Sequence, residues 1–211
     1  MQTNQHEEYV LDTPAVRDLI RRVGELTAQH PPAEALALLR PDFAALLADP
    51  HWLPDQYRLP APSTGMGGAS ATWLLYRSAN GDLSLSVLVL PPGAATPIHD
   101  HMAWGLVGLY AGEQHEIVFR RSTGAAADDH HVPLEVAEHH ALKPGDFYTL
   151  LPPDGDIHQV RTTSSVPSLS IHLLGVDVGC LWRHTYTLED QQMHAFRSGW
   201  SNAACREYEQ S

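Results

Sequence analysis

The chain has 211 residues, 43% hydrophobic and 18% charged, enough for one domain with a sizeable core and unlike a disordered chain. A formal charge of -12 argues against a nucleic-acid partner, because phosphate binding needs a basic face. There is no run of about 18 apolar residues, and Met1 to Glu8 lack the basic start and apolar run of a signal peptide, so a soluble, cytoplasmic protein with no membrane partner is expected.

Residues 12 to about 50 read as helical. Asp12 or Thr13 supplies a cap, with Pro14 in the first helical position. Val16, Leu19, Ile20, Val23 and Leu26 then recur at helical spacing, until His30-Pro31-Pro32 breaks the run. A second helix starts near Pro32 and carries Leu36, Leu38, Leu39, Phe43, Leu46 and Leu47. Both helices are amphipathic and are expected to pack outside the remainder of the chain. Trp52 and Tyr57 read as packing residues, and the Pro-, Gly- and Ser-rich stretch 59–68 as a loop.

After residue 70 the pattern changes to short strands separated by turns. Residues 72–77 and 83–90 flank an Asn80-Gly81 turn, a strong hairpin signal. Further strands are predicted over 104–109, 115–120, 134–138, 147–151, 158–162, 168–174 and 182–187. Many short strands at close spacing imply an all-β sandwich or barrel. The chain therefore divides into a helical extension (1–50) and a barrel (51–211) within one structural unit. Cys180 and Cys205 are too few for a disulfide framework and read as reduced thiols. Of 14 histidines, the pairs His130-His131 and His139-His140 sit among polar residues and read as solvated.

The chemistry concentrates in Pro97-Ile98-His99-Asp100-His101. Histidines at i and i+2 of a strand share one face, so His99 and His101 can grip one metal ion if a third ligand arrives from elsewhere. His158, in Pro153-Asp154-Gly155-Asp156-Ile157-His158, is that candidate. Three imidazoles would leave the opposite side of the ion open, as an enzyme needs, whereas a structural zinc site would be closed by four protein ligands. Imidazole suits iron, zinc, copper and nickel alike.

These spacings carry a resemblance. Gly93, five residues, His99-x-His101, three residues, Gly105, six residues, Gly112 resembles the first cupin motif, with Gly105 where a glutamate ligand is usual. Gly145-Asp146-Phe147 followed by Pro153-Asp154-Gly155 and His158 is similar to the second, with a longer interval and Thr162 where asparagine is common. The resemblance implies an all-β cupin jelly-roll barrel with the ligands inside it.

A narrower resemblance is to thiol dioxygenases of the bacterial cysteine and 3-mercaptopropionate type. It rests on Asp49-Pro50-His51-Trp52-Leu53-Pro54, His99-Asp100-His101 with Trp104-Gly105-Leu106-Val107-Gly108, Ser170-Ile171-His172, and the tail Ser198-Gly199-Trp200-Ser201-Asn202. It spans about residues 45 to 202. It implies Fe(II) on His99, His101 and His158, with a small thiol and O2 as partners and a sulfinate as product. The family's Ser-x-His-x-Tyr strand reads Ser170-Ile171-His172-Leu173-Leu174, so Ser170 and His172 are retained and Leu174 replaces the tyrosine. Its hydroxyl is missing unless Tyr148 or Tyr186 supplies one. The cysteine that cross-links to that tyrosine in animal cysteine dioxygenases also has no counterpart.

An acidic substrate calls for a bidentate cation. Arg183 resembles the arginine of 3-mercaptopropionate enzymes, Arg58 that of cysteine-specific ones, and Arg183 is preferred. Met102, Trp104 and Trp182 either line an apolar pocket or belong to the core. The expected protein is an Fe(II) dioxygenase acting on a mercapto-carboxylate, as a monomer or homodimer. The alternatives are a cupin oxygenase that cleaves a C–C bond, which Leu174 favours, and a noncatalytic metal- or small-molecule-binding cupin.

Overall fold

The computed structural model describes residues 6–61, 65–66, 70–122 and 130–208. In chain order they form β1 (Glu8–Tyr9), α1 (Pro14–Thr27), α2 (Pro32–Ala48), β2 (Ala71–Arg77), β3 (Ser84–Leu90), β4 (Ile98–His99), β5 (Gly105–Ala111), β6 (Gln114–Arg121), β7 (Leu134–Leu142), β8 (Phe147–Leu150), β9 (Ile157–Thr162), β10 (Ser168–Leu174), β11 (Arg183–Tyr186) and β12 (Met193–Phe196). A single 3-10 turn covers Asp55–Arg58. Of the predicted 59–68 loop, residues 62–64 and 67–69 lie outside the described residues.

The strands make two six-stranded antiparallel sheets, ordered β1-β2-β3-β10-β5-β8 and β12-β11-β4-β9-β6-β7. The nested pairs are β3·β10, β4·β9, β5·β8 and β6·β7. The chain thus doubles back on itself as one long ribbon, and the contacts β5·β10 and β6·β9 roll that ribbon up. This is the strand order of a jelly roll, made of two packed antiparallel sheets.

Strand β10 explains how the layers are filled. Alternate residues Leu169, Ile171 and Leu173 join one buried cluster with Val16, Ile20, Phe43 and Leu47 of the helices. Their neighbours Ser168, Ser170 and His172 therefore face the other way, into the barrel. The helices come close to the sheet at Gly108 on β5, where a Cβ would stand 2.5 Å from Leu47 Cδ1 and 2.9 Å from Phe43 Cε1. Phe43 also meets Phe147 edge-on, with centroids 5.5 Å apart. Thr13 caps α1, its hydroxyl accepting the Val16 N–H at 3.4 Å.

Several features differ from the sequence reading. Residues ahead of the helices belong to the barrel sheet, since Glu8 and Tyr9 pair with Arg77 and Tyr76. The tail covers the same edge of β2 further along: Ser201 Oγ accepts the Thr72 N–H, and the Asn202 amide bonds both backbone groups of Leu74. An edge paired in this way no longer offers a template to other chains. The two cysteines are not free thiols: Cys180 and Cys205 form a disulfide with Cα atoms 5.2 Å apart. The bond ties the tail to the loop after β10, a proximity that sequence spacing does not reveal. No described helix is long and apolar enough to cross a membrane.

Candidate metal centre

Strands β4 and β9 lie side by side, and His99 and His158 are direct register partners, so both imidazoles leave the sheet on the same face. His101 stands two residues beyond His99 and joins them. One ring nitrogen from each lies within 4.8 Å of the other two, and all three residues are buried. The opposite nitrogen of each ring is occupied. His99 Nδ1 is 2.9 Å from the Pro97 carbonyl, His101 Nδ1 is 3.4 Å from the Asp156 carbonyl, and His158 Nδ1 is 2.7 Å from Glu116 Oε1. Acceptors at Nδ1 fix the tautomer with hydrogen there and leave Nε2 as the lone-pair donor.

The Nε2 atoms of His101 and His158 are buried without a hydrogen-bond partner. Such an orphaned pair beside a third imidazole fits a bound ion, which would restore their lost solvation. Burial holds His99 well below the ordinary imidazole range, and it brings His101 to about 4 although Asp156 pulls the other way. These rings are therefore neutral at pH 7, the form in which a histidine ligates. The described residues thus contain a His99–His101–His158 group that could hold a metal ion.

Carboxylates frame the group without joining it. Asp156 receives the backbone N–H groups of His101 (3.0 Å) and Met102 (3.1 Å), fixing the turn at Met102, whose φ is 54°. Asp100 points away from the imidazoles and accepts from the His184 N–H (2.8 Å), His184 Nδ1 (2.8 Å) and Tyr186 OH (2.9 Å). Glu116 sits behind His158. Burial alone would raise its carboxyl, but hydrogen bonds and charge from His158, with help from His140 and Tyr148, bring it down to about 2.

In front of the imidazoles lies a small cavity lined by His99, His101, His172, Arg183, Thr72, Ser86, Ser198, Met66, Leu88 and Val178. Arg183 is buried; burial lowers its guanidinium to about 10, which leaves it a cation at pH 7. Its Nη1 donates to the Asp100 carbonyl at 2.5 Å, its Nη2 to Ser198 Oγ at 3.3 Å, and Nε has no partner. The Thr72 hydroxyl is likewise buried and unpartnered. Ser170 Oγ and His172 Nε2 are 3.0 Å apart, and the His172 ring centroid is 6.3 Å from that of His101.

Other candidates stand elsewhere. Arg58 does not line the cavity: its guanidinium is taken up by the carbonyls of Leu53 and Pro50 and by the Tyr110 hydroxyl. It stitches the 3-10 turn to the barrel. Met102 and Trp182 are largely exposed, and Trp104 packs beside the helices, so none of the three lines the cavity. Leu174 is fully buried among Leu74, Val107, Leu150 and Trp200. Neither tyrosine restores the missing hydroxyl to the cavity. Tyr148 OH lies behind His158, 3.3 Å from Nδ1, and Tyr186 is bonded to Asp100. Sequence reasoning overlooked Glu116, Asp156, Thr72 and Met66. His140, read as solvated, in fact bonds Glu116 at 2.9 Å.

The absence of a glutamate ligand has a steric basis. A Cβ on Gly105 would lie 2.2 Å from the Leu173 carbonyl oxygen and 2.6 Å from Leu174 Cδ2, so β5 and β10 are too close for any side chain there.

No family model matches the chain. Among solved structures, it is similar to a protein with a double-stranded β-helix domain from Klebsiella pneumoniae, at 17% identity over 58% of this chain and 81% of that one, TM-score 0.39. A cupin superfamily protein from Desulfitobacterium hafniense shares 14% identity over 51% of this chain and 78% of that one, TM-score 0.36. A recombinant oxalate oxidase in complex with glycolate shares 15% over 56% of this chain and 53% of that one, TM-score 0.39. The barrel and its site are defined by their own strand order and side chains.

Proposed function

We propose that the protein is a mononuclear non-haem Fe(II) dioxygenase that oxidises a small thiol bearing a carboxylate to its sulfinate, RSH + O2 giving RSO2H. The observation that carries this reading is the convergence of three buried imidazoles with no carboxylate among them, beside a buried arginine with a free N–H. His99, His101 and His158 would hold the ion. When bound, Fe(II) supplies the one-electron redox chemistry through which ground-state dioxygen reacts with a thiolate. A thiolate also brings the negative charge that a carboxylate ligand would otherwise provide.

The chain's own groups then have distinct tasks. Arg183, cationic and fixed by the Asp100 carbonyl and Ser198, pairs with the substrate carboxylate, and Thr72 offers it a second donor. His172 is neutral because burial, then the neighbouring His101, His158 and Arg183, hold it well below its ordinary range. Disfavoured as a cation, it is a neutral hydrogen-bonding group in the cavity wall rather than a base, held by Ser170 at 3.0 Å. Met66, Leu88 and Val178 exclude water. The cavity encloses only about 20 Å³, room for a water molecule, so even a three-carbon acid must displace a wall side chain. Met66 is the wall residue that packs on the arginine, its sulfur 3.7 Å from Nη2.

The test is to load the protein anaerobically with Fe(II) and follow O2 uptake against 3-mercaptopropionate, cysteine, cysteamine and mercaptosuccinate. Uptake matched one-to-one by sulfinate is expected, with cysteamine, which lacks a carboxylate, poorest. Bound iron without uptake on any thiol would overturn the reading in favour of a carbon-cleaving or binding-only protein.

A further inference from the structure

The third histidine is connected to the protein surface. Its Nδ1 lies 2.7 Å from Glu116 Oε1, and the other Glu116 oxygen lies 2.9 Å from His140 Nδ1. His140 Nε2 in turn lies 2.8 Å from Glu138 Oε2. Strand register makes the chain continuous: Glu116 of β6 is opposite His140 of β7 on one side, while on the other β6 pairs with β9, with Val118 opposite His158. Glu116 and His158 are thus diagonal neighbours on the inner face of the sheet. Glu116 is 2% exposed at its side chain, whereas His140 is 40% exposed.

The chemistry of the chain follows from its acceptors. An ionised carboxylate only accepts hydrogen bonds, so a histidine bonded to carboxylates through both nitrogens must donate from both. His140 is therefore an imidazolium. Glu116 is an anion shared between that cation and the N–H of a candidate metal ligand. A carboxylate pulling on the distal N–H of an imidazole makes the other nitrogen a stronger donor. Gly105 leaves no room for a carboxylate from β5, and the shortest carboxylate contact to the three rings is that of Glu116 with His158, at 2.7 Å against 3.5 Å for Asp156 with His101.

We propose that Glu116 and His140 tune the third ligand in opposite directions: the Glu116 carboxylate strengthens His158 as a donor, and the His140 imidazolium on the outer strand withdraws part of that charge. Both are positioning residues, since neither touches the ion or a substrate. The inference rests on His99, His101 and His158 being a metal centre.

The experiment titrates Co(II) into the metal-free protein against a competing chelator and records the d–d spectrum, for wild type, Glu116→Gln, His140→Gln and the double variant. Wild type should bind one ion. Glu116→Gln should weaken binding by about 10- to 100-fold and shift the d–d bands. His140→Gln should tighten binding several-fold, because the glutamine still donates to Glu116 but carries no charge. The double variant should match Glu116→Gln alone, since His140 acts only through the carboxylate. A merely structural role would weaken binding in both single variants. That result, or unchanged affinity and spectrum in both, overturns the proposal. If Glu116→Gln fails to fold, the sign of the exposed His140→Gln effect decides alone. A wild type that binds no ion refutes the metal centre itself and not this tuning.

Discussion

Replacing Asp100, the residue between the two neighbouring histidines, separates a structural role from a ligand role. Its carboxylate receives three donors: the His184 backbone N–H, His184 Nδ1 and Tyr186 OH. Asp100→Ala would strand them. The His184 ring is partly exposed and finds water, but Tyr186 is 4% exposed and the His184 N–H cannot rotate away. Each stranded buried donor costs about 1–3 kcal/mol, so the pair costs about 4 kcal/mol. For a chain of this length that is a fall in Tm of about 8–16 °C. Asp100→Asn should be much milder. Its amide oxygen keeps the fixed backbone donor, the Tyr186 hydroxyl turns to accept from the amide, and the loss reduces to charge assistance, about 1 kcal/mol. Arg183 does not change this ranking, because its attraction to the Asp100 charge is lost equally in both variants and its hydrogen bond goes to the Asp100 carbonyl. Urea and thermal unfolding of the metal-free variants measure both costs, and metal titration should still give one ion per chain in Asp100→Asn. Equal destabilisation by Ala and Asn would refute the reasoning and make the negative charge itself the essential feature.

Metal-free protein should lose stability in mild acid. His101 falls from 6.5 to about 4 through burial, opposed by Asp156, and His99 and His172 are lowered in the same direction. The unfolded chain therefore binds more protons than the folded one between these values. Stability is complete above about pH 6.5 and declines as pH falls towards 4, by about 3 kcal/mol for His101 alone. Denaturant midpoints that stay flat from pH 7.5 to 4.5 would contradict this. Gly105→Glu should not create a four-ligand site but should destabilise by about 1–3 kcal/mol or more, because its Cβ meets the Leu173 carbonyl at 2.2 Å. Unchanged stability with tighter metal binding would show that β5 and β10 can part. Met66→Ala should lower KM several-fold for mercapto acids from the three-carbon one upward, most for the longest, and KM values unchanged from wild type at every chain length would clear Met66 of limiting size.

How much of the fold and site is legible in the sequence depends on how local each signal is. Strand β10 is plain because Ser168 to Leu173 alternate polar and apolar between turns, with Leu174 alone breaking the pattern. The helices are equally plain from Pro14, Pro32 and their apolar spacing. Strand β4 has two residues and β12 has no buried ones, so neither leaves a periodic trace. Among the site residues, the three histidines carry their own spacing signal. Glu116 does not: a glutamate in a strand ordinarily marks the solvent face, and only the β6–β9 register turns it inward. The available hint is that Gln114 and Glu116 are polar at alternate positions, as befits a barrel with a polar interior. Cys180 and Cys205 are misjudged from sequence because their pairing depends on where the tail docks, a long-range outcome that the cysteine count does not encode.

The doubled-back ribbon also implies an order of assembly. Its rungs β6·β7, β5·β8, β4·β9 and β3·β10 enclose progressively longer stretches of chain, so closing the outer ones carries the greater entropic cost until the inner ones have formed. His99 and His158 belong to the third rung. Bringing the two together while the inner rungs are open carries that full entropic cost, which makes an ion a clasp on a nearly finished structure more than a seed for an unfinished one. Such a clasp slows the opening of the barrel far more than it hastens its closing. Metal content would then decide how long a folded molecule lasts, and the strands themselves how readily one is made.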